Sequence, residues 1–451
     1  MKHGNTKPEI AYLVPGLFLS GGISAALHQV YELQKRGRSV AVFCTETGHD
    51  SSWCHFISEL SVYPFADYYK ICGETGATHI VASWWETAFD VATIAAENKH
   101  YFLQSIESRL FEDSHPFHHA FYLTLLLGLN IFTEAKWIRA WLKEELSITA
   151  ALTPNGLDLD LFKPQPVSEP RKKFRVLIEG STNSFFKGVR ESFEAIKGLD
   201  LEVWYVSPDD KPDPEWRIDK FFNAVPLSKM PEIYSQCDVL LKLSSVEGVF
   251  GPPLEMMACG GTCVVGRVTG ADEYCVDGEN CLMVDLAKPE DARVAVEKLM
   301  DDPNLLNRLK AGGLKTAANF SWSKTADLLE QEVFDKVHEP ISLILGPTVS
   351  SSLIDIKRHL GNNLQMRLSL DEFQHRCINL TAEVNEMRLK QLHVVHVQER
   401  LDAVEAQWQR DLAELNEIRG SVGWRFLQKC YKIRDCLLRR KTANSQNRKI
   451  E

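Results

Sequence analysis

The chain reads VLLKLSSVEGVFGPPLEMMACGG from residue 239 to residue 261. The stretch begins with an apolar run typical of a buried strand, and the Gly and Pro residues that follow predict a turn leading into a short helix. Glu247 would therefore lie in the loop beyond the carboxyl end of a strand, and Glu255 in the first turn of the next helix. Open α/β sheets bind ligands at that edge, so the stretch predicts an α/β fold with a ligand site around both glutamates.

The chemistry of this arrangement suits a nucleotide sugar. The free backbone N–H groups and the positive dipole end of a helix N-terminus can hold a diphosphate. The carboxylate of Glu255 can accept two hydrogen bonds from the vicinal hydroxyls of a ribose. The chain contains 61 acidic residues, so the alternative interpretation is a chance pair consisting of a helix cap and a solvated surface charge.

The stretch, with its two glutamates separated by seven residues, resembles the large retaining family of GT-B glycosyltransferases. Residues 153–164, which read TPNGLDLDLFKP, are similar to the segment in which that family passes between its two Rossmann-like domains. The resemblance implies an α/β protein with two such domains facing a cleft. Residues 1–155 would bind the acceptor, and residues 156–335 would bind the nucleotide sugar.

Lys187 is the residue that the resemblance assigns to the donor diphosphate, and a lysine is a suitable point charge for phosphate. It follows an apolar strand that ends at Gly180. Relatives usually carry Gly-Arg at this strand end, whereas this chain has Gly180 and Ser181. Either Arg190 compensates or one phosphate contact is lost. A solvated loop lysine is the alternative interpretation of Lys187.

The resemblance also implies roles for the rest of the donor site. Glu255 would hold the ribose, and Glu247 would contact the ring hydroxyls of the sugar or the charge that develops during transfer. These two are the predicted catalytic residues. The other predicted donor-binding positions are Gly180, Phe250, Gly251 and Leu254. The anomeric configuration would be retained, without a dedicated nucleophile.

Asp158 and Asp160 form a DxD pattern, which binds a divalent cation in GT-A glycosyltransferases. Here the pair lies in the segment that joins the two predicted domains. A lysine and a helix dipole are already available to neutralise the diphosphate. We therefore expect no metal, and no cofactor other than the nucleotide sugar that serves as donor.

The N-terminal region predicts a second set of contacts. Residues 10–15 predict the first strand, and Gly21 and Gly22 open a helix that runs to about Lys35. Glycines there let backbone N–H groups approach a bound phosphate or sugar, although a generic Rossmann turn would have the same composition. The pattern is not the G-x-G-x-x-G dinucleotide fingerprint, so NAD chemistry is set aside.

Residues 78–88 and 101–108 resemble segments of bacterial rhamnosyltransferases of the WsaF type. Each predicts a strand with polar or aromatic residues at its end, which places Trp84 and Gln104 in the acceptor site. Trp84 and Trp85 could stack on a sugar face, or they could be core residues. Many retaining relatives have a histidine here for the 6-hydroxyl of the sugar. Its absence fits a 6-deoxy sugar such as rhamnose.

The composition favours a cytosolic enzyme. The chain has 451 residues, enough for two domains and additional segments. Its 11 cysteines are odd in number and form no CxxC pair, which predicts reduced thiols rather than a disulfide framework or a zinc site. No N-terminal signal segment is expected. The apolar run at residues 120–132 is too short to span a bilayer and predicts a helix within a domain.

The sequence pattern changes beyond residue 335. Residues 336–370 predict a linker. Residues 371–419 carry a hydrophobic residue at every seventh position from Phe373 to Leu415, which predicts a coiled coil that joins copies of the chain or binds a partner enzyme. A single long helix packed on the catalytic domains is the alternative.

Residues 420–451 form a basic tail, since residues 421–451 contain nine Lys and Arg against two acidic residues. Within it, residues 420–441 predict an amphipathic helix with Trp424 at its edge, which suits an anionic membrane surface. An ordinary docking helix is the alternative. Nucleic-acid binding is not expected, because the chain as a whole carries a net charge of −10 and contains no nucleic-acid module.

These observations predict a metal-independent, retaining glycosyltransferase peripheral to the cytoplasmic face of the membrane. It would move rhamnose or another hexose from a nucleoside diphosphate to a growing, lipid-linked cell-surface glycan. Two alternatives stay open. A non-hydrolysing sugar-nucleotide 2-epimerase would share the two-domain layout, and a scaffold protein would use the coiled coil and tail beside a degenerate transferase body.

Overall fold

The computed structural model describes residues 7–110, 116–167, 173–208 and 211–337, together with residues 405–407, 409, 410, 413 and 417. The predictions of a linker, a coiled coil and a basic tail fall almost wholly outside the described residues. At the described positions between 405 and 417 the backbone is helical. Both sheets described below belong to one compact unit, Met1–Gly346.

The first domain is built on a seven-stranded parallel sheet with the order β3-β2-β1-β4-β5-β6-β7. Its strands are β1 (Ile10–Val14), β2 (Val40–Cys44), β3 (Val62–Pro64), β4 (His79–Ala82), β5 (Asn98–Leu103), β6 (Asn130–Thr133) and β7 (Ala151–Leu152). Every residue of β1 and β2 is buried. Such fully apolar strands are expected where helices cover both faces of a parallel sheet.

The helices of this domain are α1 (Gly21–Lys35), α2 (Tyr68–Cys72), α3 (Trp85–Thr93), α4 (Pro116–Thr124) and α5 (Lys136–Leu146). The predicted first strand and the helix that follows it are confirmed. The predicted helix over residues 120–132 is wrong, since α4 ends at Thr124 and β6 begins at Asn130. Gly128 lies between them with φ +72°, a conformation that favours glycine and is incompatible with a continuous right-handed helix over the whole run.

The second domain is built on a six-stranded parallel sheet with the order β10-β9-β8-β11-β12-β13. Its strands are β8 (Arg175–Glu179), β9 (Glu202–Ser207), β10 (Lys220–Asn223), β11 (Val239–Lys242), β12 (Thr262–Gly266) and β13 (Leu282–Val284). Its helices are α6 (Val189–Ala195), α7 (Met230–Tyr234), α8 (Gly251–Ala258), α9 (Pro289–Asp301) and α10 (Pro303–Ala317). The predicted helix end and buried strand before Glu247 are therefore confirmed.

The last described helix, α11 (Trp322–Leu329), returns to the first domain. Leu329, Val333 and Phe334 are buried in the core that surrounds β1 and α1. The guanidinium group of Arg36, in the first domain, lies 2.6 Å from the carboxylate of Asp327 in α11, and this ion pair holds α11 against the first domain. The chain thus passes between the domains twice, which the sequence pattern did not indicate.

The predicted fold class of two Rossmann-like domains is confirmed by these two parallel sheets. In each sheet the strand order reverses once, at β1 and β4 in the first and at β8 and β11 in the second. Open α/β sheets bind ligands outside the carboxyl ends of the strands at such a switch point. No helix among the described residues is both long and apolar enough to cross a membrane.

Candidate functional site

The switch point of the second sheet brings two of the predicted donor residues together. Strands β8 and β11 are parallel neighbours, so the loops after their carboxyl ends lie side by side. Lys187 comes from the loop after β8 and Glu247 from the loop after β11. The Lys187 Nζ atom lies 3.1 Å from Oε1 and 3.3 Å from Oε2 of Glu247. The structure therefore places a cation and a carboxylate where an open α/β sheet binds its ligand.

Close contact between the two loops explains the glycine after Lys187. Gly188 has φ +62°, and a Cβ atom on it would lie 2.0 Å from the Leu243 carbonyl oxygen. The Ser245 N–H donates to the Phe186 carbonyl oxygen at 2.8 Å. Only a residue without a side chain fits at Gly188, so this contact fixes Lys187 against the loop that carries Glu247.

A second ion pair, between Glu179 and Lys242, lies at the ends of the same two strands. Burial alone would raise the pKa of Glu179, but the ammonium groups of Lys242 and Lys187 outweigh it and hold that pKa below its ordinary value. Burial would likewise lower the pKa of Lys187, yet the carboxylates of Glu247 and Glu179 raise it. Two cationic and two anionic side chains therefore lie together at this edge, as the pairs Lys187–Glu247 and Lys242–Glu179.

Sequence reasoning missed the Glu179 and Lys242 pair. The available signal was a lysine at the end of the apolar strand β11, where its side chain is only 1% exposed. Charged groups are almost never fully buried unless they are paired. A lysine in such a strand therefore predicts a partner at the end of a neighbouring strand.

Glu255 lies in α8, where it is the fifth residue. Its predicted place in the first turn is therefore wrong by one residue, because the helix begins at Gly251 and a turn takes about 3.6 residues. The Tyr234 hydroxyl donates to Glu255 Oε2 at 2.9 Å. Burial raises the pKa of Glu255 to about 7, against the effect of the Tyr234 hydrogen bond. Tyr234 was not predicted as a site residue, and it fixes the orientation of this carboxyl group.

The start of α8 offers fewer hydrogen-bond donors than expected. Pro252 and Pro253 have no N–H, and the Gly251 N–H already donates to the Val249 carbonyl oxygen at 3.0 Å. The side chains of Phe250 and Leu254 are buried in the domain core. At these positions only the backbone can contact a donor, so Lys187 is the stronger candidate for the diphosphate.

The predicted acceptor residues come together at the switch point of the first sheet. Gly21 and Gly22 are the first two residues of α1. A Cβ atom on Gly22 would lie 3.0 Å from Gln104 Oε1, whereas a Cβ atom on Gly21 would meet nothing within 4 Å. The Gln104 amide donates to the Ser83 carbonyl oxygen at 3.0 Å. Trp84, the residue before α3, is half-buried and directly follows Ser83.

Glu107 explains part of the segment around Gln104. It is 1% exposed and accepts hydrogen bonds from the Trp85 N–H at 2.8 Å and the Tyr101 hydroxyl at 3.1 Å. Burial raises the pKa of Glu107 to about 8. Trp85 is itself buried in the core. This glutamate therefore caps the N-terminus of α3 and has a structural role.

Asp158, in the segment between the domains, has a local role. Its carboxylate accepts hydrogen bonds from the N–H groups of Asp160 at 3.1 Å and Leu161 at 3.0 Å, the pattern of an Asx turn. Among the described residues, no group of three or more His, Cys, Asp or Glu side chains is arranged to hold a metal ion.

The first and second domains come into contact at Gly248. A Cβ atom on this residue would lie 1.9 Å from the Gln104 carbonyl oxygen. The Trp137 indole N–H, at the start of α5, donates to the Gly248 carbonyl oxygen at 2.8 Å. The loop that carries Glu247 is therefore in direct contact with Gln104 and Trp137 of the first domain.

This fold is that of the GT-B glycosyltransferases. Sucrose-phosphate synthase from Thermosynechococcus elongatus superposes with a TM-score of 0.61 at 15% identity, over 72% of this chain and 98% of that one. HepE from Anabaena, in complex with UDP-glucose, gives 0.61 at 15% identity over 71% of this chain and 98% of that one. The sequence of residues 220–316, which include Glu247 and Glu255, matches the family described as glycosyl transferases group 1.

Curated relatives match stretches of about 100 residues of the chain. The D-inositol 3-phosphate glycosyltransferase of Stackebrandtia nassauensis is 36% identical over 100 residues, 22% of each chain. The serotype-specific mannosyltransferase WbdA of Escherichia coli is 34% identical over 96 residues, 21% of this chain and 12% of that one. The alignment with the first of these relatives thus spans about a fifth of its length.

Proposed function

We propose that this protein is a retaining, metal-independent glycosyltransferase that moves a hexosyl group from a nucleoside diphosphate sugar to a glycan. The observation that carries the proposal is the pairing of Lys187 with Glu247 at the switch point of the second sheet. Glu255, held by Tyr234, lies on the helix that follows the same loop. The match of residues 220–316 to a glycosyltransferase family supports the assignment.

Each of these groups has a chemical role in the proposal. The diphosphate replaces Glu247 as the partner of Lys187, and Glu255 in its ionised form accepts hydrogen bonds from the ribose. Glu247 then contacts the sugar. The site contributes positioning and electrostatic stabilisation of the departing diphosphate, and apposition of the two domains around Gly248 excludes water.

The identities of the sugar and the acceptor and the contact with the membrane are part of the same proposal. The sugar is rhamnose or another hexose, and the acceptor is a lipid-linked surface glycan at the cytoplasmic face of the membrane. The similarity to a relative described as a serotype-specific mannosyltransferase supports a surface polysaccharide. Membrane contact through residues 420–441 and self-association or partner binding through residues 371–419 complete the proposal.

Calorimetry with a panel of sugar nucleotides tests the donor site. We expect one donor to bind the wild-type protein, and Glu255→Gln to weaken that binding at least tenfold at pH 8, because a neutral amide accepts weaker hydrogen bonds than a carboxylate. Glu232→Gln is the matched control, since Glu232 is an exposed residue of the same domain. Failure of every donor to bind would reject the proposal and favour the scaffold.

Product analysis separates transfer from epimerisation. A transferase should release the nucleoside diphosphate only when an acceptor is present and should extend that acceptor with retention of configuration. Conversion of the nucleotide sugar into its 2-epimer, still joined to the nucleoside diphosphate and without any acceptor, would instead identify the protein as a non-hydrolysing 2-epimerase.

A further inference from the structure

The peptide group between Gly248 and Val249 is held from both sides by the first domain. Its carbonyl oxygen accepts the Trp137 indole N–H at 2.8 Å. Its N–H, on Val249, donates to the buried carboxyl group of Glu134. This peptide lies one residue beyond Glu247, so two residues of the acceptor domain hold the backbone close to a predicted catalytic residue of the donor domain.

The residues that hold the peptide are themselves fixed. Glu273, from the second domain, accepts hydrogen bonds from the backbone N–H groups of Lys136 at 2.6 Å and Trp137 at 3.2 Å. These are the first two N–H groups of α5, which a carboxylate stabilises through the helix dipole. Asn155, in the segment between the domains, donates its side-chain amide to Glu134. Trp137 is therefore held by Glu273 of the second domain, and Glu134 is held by Asn155 of the segment between the domains.

The space around Gly248 leaves no room for a side chain at this position. A Cβ atom on Gly248 would overlap the Gln104 carbonyl oxygen at 1.9 Å and lie 3.1 Å from Glu134 Oε1. A rotated 248–249 peptide would lose both hydrogen bonds and move the neighbouring Glu247 carboxylate relative to Lys187. The orientation of Glu247 therefore depends on contact with the first domain.

We propose that Trp137 and Glu134 are positioning residues, which orient Glu247 for transfer only when the acceptor domain contacts the loop of the donor domain. The inference rests on the proposed function, because it concerns the same site. Lys187 and Glu255 lie wholly within the second domain, and when Trp137 is changed Lys187 stays near Glu179 and Glu255 keeps its hydrogen bond from Tyr234. Loss of the Trp137 or Glu134 contact should consequently lower the rate of transfer more than the affinity for the donor.

Burial keeps Glu134 suited to this role. Burial, together with the nearby charges of Glu273 and Glu247, raises the pKa of Glu134 to about 8, against the hydrogen bonds from Asn155 and Val249. A neutral carboxyl still accepts the Val249 N–H through its carbonyl oxygen. Glu134→Gln should therefore preserve the contact, whereas Glu134→Ala removes it.

Trp137→Phe tests the inference, because it removes the N–H donor and keeps an aromatic ring. We expect kcat to fall about tenfold, while the donor Kd stays within twofold of the wild-type value. Trp141→Phe is the matched control, since Trp141 lies on the same helix and contacts Tyr122 instead. Glu134→Gln should retain kcat and Glu134→Ala should lose it. Equal kcat values for Trp137→Phe and Trp141→Phe would overturn the inference.

Hydrogen exchange of the full-length protein provides a readout that does not require activity. Amides of residues 246–250 should exchange faster in Trp137→Phe than in the wild type, and at the wild-type rate in Trp141→Phe. Unchanged exchange in Trp137→Phe would reject positioning, even if the wild type transfers sugar. If the wild type transfers no sugar but its exchange responds, the proposed function fails and the structural coupling holds.

Discussion

The ammonium group of Lys187 lies 3.1 Å from the carboxylate of Glu247. The cation proposed to bind the donor diphosphate is thus already paired with an anion from the neighbouring loop. The Lys187 side chain is 29% exposed and that of Glu247 is 9% exposed, so solvent screens the pair only in part. A diphosphate must displace Glu247 before it can use the full charge of Lys187.

Replacement of Glu247 should therefore strengthen the binding of a nucleoside diphosphate. In Glu247→Gln, Lys187 loses its competing anion, and we expect about tenfold tighter binding, equivalent to about 1.4 kcal/mol. Sugar transfer should fall, because Glu247 is a predicted catalytic residue. Calorimetry with the nucleoside diphosphate measures the first effect, and the exposed Glu232→Gln serves as control. Unchanged or weaker binding in Glu247→Gln would show that the pair does not occupy the phosphate position.

Donor affinity should depend on pH through Glu255. Its pKa is raised to about 7 by burial, with further effects from Tyr234, Glu179 and Lys242. Ribose hydroxyls donate to the ionised carboxylate, so affinity should increase as pH rises from 6 to 8, by up to about tenfold. Calorimetric titrations at several pH values measure this, and Glu255→Gln should bind weakly without that dependence. An equal pH dependence in the variant would assign the titration to another group.

Protein stability should depend on pH through Glu107. Its pKa is raised from an ordinary 4.5 to about 8 by burial, partly offset by its hydrogen bonds from Trp85 and Tyr101 and reinforced by the charge of Glu86. The folded protein therefore binds this proton more tightly than the unfolded chain. The resulting stability is fully present below about pH 4.5 and is lost as pH rises through 8.

Glu107→Gln should remove that contribution, because its amide oxygen still accepts a hydrogen bond and never ionises. The Tm of the variant relative to the wild type should therefore increase between pH 6 and pH 9. Thermal unfolding at a series of pH values measures the difference. A difference that is constant with pH would contradict the assignment.

Substitution of two glycines allows the stability cost of backbone strain to be measured separately from that of steric overlap at the donor site. Gly188 and Gly198 both have positive φ, but a Cβ atom would overlap the Leu243 carbonyl oxygen only at Gly188. We expect Gly198→Ala to cost about 1 to 2 kcal/mol through strain alone. Gly188→Ala should cost roughly a further 2 kcal/mol or more and weaken donor binding. Denaturant unfolding and calorimetry measure both, and equal costs would contradict the close loop contact.

Much of the fold and part of the site could be predicted from local patterns. The strand before Glu247 and the helix after it follow from an apolar run and a Gly/Pro turn, and both are confirmed. The helix predicted over residues 120–132 was wrong because a short apolar run suits either a helix or a strand. Gly128 divides it between α4 and β6. The prediction for Glu255 was wrong by one residue, because the Gly and Pro residues before it left the first residue of the helix undefined.

The buried charges could not be predicted in the same way. Glu134 and Glu107 look like ordinary loop carboxylates in the sequence, and only packing shows that each accepts a backbone N–H from a distant segment. Their raised pKa values are consequences of burial, which depends on how the elements assemble. The return of α11 to the first domain likewise depends on Arg36 and on a core far away in sequence.

The sequence by itself determined most of the elements, because periodicity and turn chemistry act over neighbouring residues. Its resemblance to the GT-B glycosyltransferases supplied the two-domain class and the candidates Lys187, Glu247 and Glu255. Only the tertiary structure decided that Lys187 pairs with Glu247 and that Trp137 and Glu134 hold the Gly248–Val249 peptide. Those contacts join residues 60 to more than 100 positions apart. They exist because parallel strands bring their carboxyl ends to one edge and the two domains place those edges face to face.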